Sequence, residues 1–268
     1  MTQHRAYVSP LCRRLWLCVL LGTCTTTLAA TSLTLTPTNH LSVRGPIDAK
    51  AASTFVHDSQ LHHATVKYVY IDSPGGSVSA GDRMVEELQR RNYTCLVDTA
   101  YSMAFVLVQA CARRLVRPSG SLMQHQIALA GMGLHGELGK VKARLNSIER
   151  VRQRLDQMQA ARLNLTEAAF VARTTNEWWL DARDALTHRC VDALAPSLQC
   201  SAALLRTRVA RTETAILGLF ATATVREYSA CPLVTEPLAE LATAAVPWTA
   251  APVGHNDTAP GDDGPYHV

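Results

Sequence analysis

No Cys-x-x-Cys pair occurs in the 268 residues, so a structural zinc site has no ligands at the spacing such sites use. Charged residues are sparse at 18%, and the net charge is only +4. No dense basic patch with interleaved aromatics is present, so nucleic acid is not an expected partner. No internal repeat is visible, which sets aside solenoids and propellers. Acid is absent before Asp48. Arg5, Arg13 and Arg14 instead precede the apolar run Leu15–Gly22 and the small-residue stretch TCTTTLAA. That is the order of a secretory signal, with Thr27 and Ala29 suited to the positions before a cut. The alternatives are an organelle transit peptide and an uncleaved membrane anchor, for which the run is short against a span of about 20 residues.

What is present suffices for a folded core. Hydrophobic residues make up 47% of the chain, which supports one main domain with additions. Removal of residues 1–30 would leave Cys95, Cys111, Cys190, Cys200 and Cys231. An odd count leaves a thiol unpaired. Cys190 and Cys200 bracket a Pro-containing loop and are the candidate pair in an oxidising compartment. His57, His62 and His63 are close in sequence, but the two adjacent ones face apart, so neither a metal nor a cofactor is expected.

LSVRGPI, VKYVYI and YTCLVDT read as strands, as do the short runs RRLVRP and SLMQHQ. DAKAASTFVHDSQL and SAGDRMVEELQRR have helical spacing, and SMAFVLVQACA, apolar nearly all round, reads as a buried helix. The alternation predicts an α/β domain with a parallel sheet and crossover helices. From Leu138 the apolar positions Val141, Leu145, Ile148, Val151, Leu155 and Met158 follow at steps of three or four. This predicts a long helix with a coiled-coil-like seam. Lys140, Lys142, Arg144, Arg150, Arg152 and Arg154 lie on its other face, expected to be solvated. A shorter helix is expected around LTEAAFVAR, with Asn164 or Thr166 near its start. Residues 201–246 are expected to add a further helix, and the Pro/Gly/Asp-rich residues 247–268 a disordered tail.

The stretch YVYIDSPGGSVSAGDRM, Tyr68 to Met84, turns from strand to helix through Pro74, Gly75 and Gly76. Bare N–H groups at such a turn can hold an anion. A phosphate loop would carry a Lys and a Ser or Thr after its glycines, or a third glycine at dinucleotide-binding spacing. Neither is there, and Asp72 would repel a phosphate. A transient oxyanion needs only preorganised N–H groups and a nucleophile. The next strand-to-helix turn, TAYSMAFVLVQA, supplies Ser102, with the Met103 amide beside it. One loop later, RPSGSLMQHQ puts His125 at a strand end. Parallel strands end on one side of a sheet, so the three loops can converge.

Taken in order, GPID, IDSPGGSVSAG, YSMAF and MQHQ resemble the Clp protease proteolytic subunit family. The resemblance runs from about Leu41 to Ala193 and implies a ClpP/crotonase-like domain, here residues 31–200. It implies Ser102 as nucleophile, His125 as general base, and Gly76 and Met103 as oxyanion donors, with Gly75 and Pro74 supporting the loop. The long helix resembles the family's handle, which packs ring against ring. The third triad position departs from the family. Matching LDARDA in TNEWWLDARDAL puts Glu177 where the family has Asp, with Asn176 one residue away. The change from HQP to HQI at Ile127 is a second departure.

The expected function is a serine endopeptidase cleaving peptides or unfolded protein segments as a homo-oligomeric ring. An exported chain would work without an unfoldase ATPase. The alternative is a catalytically weak or inactive scaffold of the same fold. A Ser–Lys dyad is a poorer fit, because the first lysine after Ser102 is Lys140, on the long helix.

Overall fold

The computed structural model describes residues 32–127, 137–217 and 220–247. The expected signal segment and the tail from residue 248 lie outside the described residues. Among the described residues no helix is long and apolar enough to cross a membrane.

In chain order the elements are β1 (Ser32–Leu35), β2 (His40–Arg44), α1 (Ala49–Leu61), β3 (Tyr68–Ser73), α2 (Val78–Arg90), β4 (Thr94–Tyr101), α3 (Met103–Ala110) and β5 (Arg113–Gln124). They continue with α4 (Leu138–Leu163), α5 (Glu167–Thr174), β6 (Trp178–Asp181), α6 (Ala182–Thr187), β7 (Ala193–Leu194) and β8 (Ser197–Cys200). The last are α7 (Ala202–Arg206), β9 (Arg208–Leu217), β10 (Phe220–Ser229) and β11 (Ala239–Pro247). The helix starts follow local chemistry. Asp48 accepts from Ala51 N at 2.7 Å, Ser77 from Ala80 N at 3.3 Å, and Thr166 from Ala169 N at 3.2 Å. Each satisfies an N–H that has no partner inside its helix.

The central sheet runs β2-β3-β4-β5-β6, with β7 also on β5. β2 to β5 are parallel and β6 is antiparallel to β5. The loops after β3, β4 and β5 therefore leave one edge together. One face carries the main core, which includes all of α3, Met84, Val85 and Leu88 of α2, and Leu155, Ala160 and Leu163 of α4. Each large apolar side chain buried there contributes about 1.5–3 kcal/mol. The other face carries a smaller cluster of Leu35, Tyr70, Leu96, Leu115, Leu204 and Cys231.

Four expectations change. RRLVRP and SLMQHQ form one strand, β5, whose register against β4 slips around Asp98 so that Pro118 and Gly120 fall in the irregular stretch. Among the described residues of 201–246, only the five of α7 are helical. β9, β10 and β11 form an antiparallel sheet instead. Thr at every second position in TETA and ATATV suits a pleated surface, and tertiary pairing overrides the helix propensity of alanine. Cys200 pairs with Cys231, and Cys95 with Cys111, leaving Cys190 a buried free thiol. The expected Cys190–Cys200 bridge fails because Cys190 sits in the main core, whereas Cys200 packs with the cluster on the opposite face. Finally, the seam of α4 divides. Ile148 and Leu155 bury against the chain's own domain, whereas Leu138 is 69% and Leu145 36% exposed. Its basic face is partly paired: Arg152 holds Glu149 and Asp156, and Arg154 reaches Asp82 at 2.6 Å.

Candidate active site

Ser102 occupies the step between β4 and α3 with φ 55° and ψ −121°. Positive φ is costly for a residue with a Cβ and persists only where the surroundings enforce it. Here Ser102 N donates to Met123 O at 2.8 Å, and Val106 N donates to Ser102 O at 3.3 Å. A serine at a helix start usually caps it, but Ser102 makes no such bond. Its Oγ instead lies 2.9 Å from His125 Nε2, and the residue is only 3% exposed. His125 follows β5 directly. Its N–H donates to Gln124 Oε1 at 3.2 Å, Gln124 Nε2 donates to Gln159 Oε1 at 2.6 Å, and Gln159 Nε2 donates to Leu155 O at 3.1 Å. This chain of amides ties the end of β5 to α4.

The glycine loop lies against the serine turn. A Cβ on Gly75 (φ 95°) would meet Tyr101 O at 2.6 Å, Ser102 Cβ at 2.8 Å and Met103 N at 2.9 Å. A Cβ on Gly76 (φ 148°) would meet Ile47 O at 2.4 Å. Both positions thus exclude a side chain by backbone angle and by space. Ile47 N donates to Gly75 O at 2.8 Å, and Ser77 N donates to Ile47 O at 2.7 Å. That parallel bridge, Ile47 against Gly76, uses the groups on either side of Gly76. The Gly76 N–H therefore points to the opposite edge, toward β4 and the start of α3. Among the described residues neither the Gly76 nor the Met103 N–H is taken up by a partner. Pro74 enters the turn ahead of them. Beside the pair, Val78, Met103, Val106, Ile127, Leu155, Asp156 and the two glutamines line a cavity of ≈ 20 Å³. It holds about one water.

A family model described as Clp protease matches residues 28–197. The chain belongs to that family. Among its relatives is the ATP-dependent Clp protease proteolytic subunit 2 of Pseudomonas aeruginosa, 27% identical over 165 residues, covering 58% of this chain and 80% of the relative. The proteolytic subunit of Oltmannsiellopsis viridis is 30% identical over 138 residues, covering 48% and 68%. The subunit 2 of Tropheryma whipplei is 29% identical over 130 residues, covering 47% and 71%. The match to the Clp protease model ends at Ser197, the first residue of β8, so the C-terminal sheet lies beyond the family's matched domain.

In this Clp protease family chain Ser102, His125 and the glycine loop come together, and Glu177 does not join them directly. β5 and β6 pair so that Met123 faces Trp179 and Gln124 faces Trp178. His125 directly follows Gln124 and Glu177 directly precedes Trp178, so both leave the same end of the β5–β6 pair. The Glu177 carboxylate is nevertheless turned away. Its Oε2 accepts from Trp179 Nε1 at 2.8 Å. Asn176 is exposed and makes no side-chain hydrogen bond among the described residues. No described carboxylate hydrogen-bonds His125. The sequence reading missed Gln124, Gln159 and Asp156. Gln159 was discernible in principle, four residues after the seam position Leu155 and so on its face. His57, His62 and His63 form no group suited to a metal among the described residues.

Proposed function

We propose that the chain is a serine endopeptidase acting on peptides and unfolded protein segments. The 2.9 Å contact between Ser102 Oγ and His125 Nε2 carries this reading, because it stands beside two N–H groups that have no partner among the described residues. His125 takes the Ser102 proton as Oγ attacks the scissile carbonyl carbon. The carbonyl oxygen becomes an oxyanion held by the Gly76 and Met103 amides. The imidazolium then gives its proton to the leaving amine as the C–N bond breaks. Water, deprotonated by His125, hydrolyses the acyl-enzyme and returns the proton to Ser102. Glu177 is the carboxylate for the third role, holding the His125 tautomer and stabilising the imidazolium, since position 177 flanks position 125.

Two further parts of the proposal concern context. The assembly is a homo-oligomeric ring, favoured by the exposed apolar start of α4. The chain is exported, favoured by two disulfides, which persist in oxidising compartments. An exported peptidase would meet its substrates without an unfoldase. One observation favours the second reading, a weak or inactive scaffold: His125 lacks a hydrogen-bonded carboxylate. An active-site serine probe separates the two. Labelling that is lost in Ser102→Ala and His125→Ala supports the peptidase, and absence of labelling in the wild type supports the scaffold.

A further inference from the structure

The orphaned His125 and the occupied Glu177 sit on neighbouring ends of β5 and β6, and one side chain accounts for both. Trp179 lies two residues from Glu177, and its indole N–H holds the carboxylate at 2.8 Å. The ring is 53% exposed and meets Tyr101 edge-on, with centroids 5.0 Å apart. It fills no core position, unlike Trp178, which packs toward Phe105 and His188. Successive strand residues point to opposite faces. Trp178 therefore faces α3, and Trp179 faces the other way. With its Oε2 on the Trp179 indole, the Glu177 carboxylate makes no hydrogen bond with the His125 ring among the described residues.

We propose that Trp179 is a positioning residue that withholds Glu177 from His125, so that the resting site is a Ser–His pair. This rests on the peptidase reading above. The Glu177 carboxylate has two competing donors, Trp179 Nε1 and the His125 ring. Release from the indole frees the carboxylate to take the His125 ring as its donor instead. Whatever takes the indole N–H from Glu177, including a substrate carbonyl lying along this exposed edge, completes the triad. A carboxylate beside the imidazole favours its charged form, which is the form that develops as Ser102 attacks. Two further groups line the cavity that His125 shares. They are Ser102 at the head of α3 and Asp156 from α4, whose carboxylate is engaged by Arg152.

The test uses the full chain with Trp179→Phe, which keeps the edge contact with Tyr101 and removes the N–H. Trp179→Leu serves as a second variant should the first melt early. The His125 ring is titrated by NMR with labelled histidine, its signal identified by its loss in His125→Ala. Turnover of a fluorogenic peptide is followed against pH. Trp179→Phe is expected to move the His125 titration to higher pH, and to shift the acid limb of kcat/KM with it. It is expected to raise turnover by about tenfold or more. Glu177→Gln in the same background should erase both gains, whereas Asp156→Asn should leave the shifted titration in place. A merely structural tryptophan would produce no such coupling. An unchanged His125 titration in both tryptophan variants overturns the proposal. The titration needs no turnover, so the clamp is judged even if no serine probe labels any variant, an outcome that would instead overturn the peptidase reading.

Discussion

Ser102 and Gly76 illustrate how backbone strain and site coincide. The positive φ of Ser102 is held by bonds to β5 and α3, and Gly76 lies against Ile47 with no room for a methyl group. Gly76→Ala would add a clash with Ile47 O to a backbone angle disfavoured by about 1–3 kcal/mol. A lower melting temperature and a fall in peptide turnover of about tenfold or more are expected, read by calorimetry and a fluorogenic assay. Cys190 makes a different prediction. Burial pushes its thiol up to about 12, so little thiolate exists at neutral pH. A thiol reagent should modify Cys190 only after unfolding, and peptide mapping should recover Cys95 linked to Cys111 and Cys200 to Cys231. Fast labelling of native Cys190 would contradict the assigned pairing. Ser102, His125 and the glycine pair were legible in sequence because strand-to-helix turns of a parallel sheet leave the same edge. The direction of the Glu177 side chain was not, because it depends on which of two nearby donors holds an exposed carboxylate.

Helix α2 carries the glycine loop at its start and is anchored by one buried acid. Glu87 is 1% exposed and accepts from Ser59 Oγ at 2.6 Å and Arg91 Nε at 3.1 Å, with Arg90 at 2.8 Å. Burial works to raise its carboxyl. The Ser59 hydroxyl, Arg91 and Arg90 outweigh that, so it lies below the usual carboxylate range. A depressed folded value means that its stabilisation is present above the unfolded carboxylate value of about 4.3 and is lost as pH falls below it. Glu87→Gln is therefore expected to cost about 2–4 kcal/mol near pH 7. The gap to wild type should narrow in denaturant melts below about pH 4. A pH-independent gap would show that packing, not charge, is responsible. Elements were legible where periodicity was strong, as in α1, α2 and α4. They were misread in β9 and β10, where Thr recurs at every second position among alanines, since alanine favours helix and the pairing partner lies elsewhere in the chain.

At the scale of the whole molecule, the central sheet sets the site-bearing edge through its parallel strands, and the apolar seam of α4 is only partly buried. The sequence pattern revealed the seam but not where it changes hands. Ile148 and Leu155 serve the domain, whereas Leu138 and Leu145 stay exposed. A symmetric contact through them would bury both copies at once. Leu138→Glu with Leu145→Glu should convert the assembly to monomers in light scattering, with the fold intact by circular dichroism. A wild-type monomer at micromolar concentration would refute the ring. The central claim concerns the chemistry at Ser102, and active-site labelling of the intact chain tests it most directly. A fluorophosphonate probe followed by peptide mapping is predicted to place the adduct on Ser102, with labelling abolished by His125→Ala. An unlabelled wild type, or equal labelling of wild type and Ser102→Ala, would contradict the peptidase account.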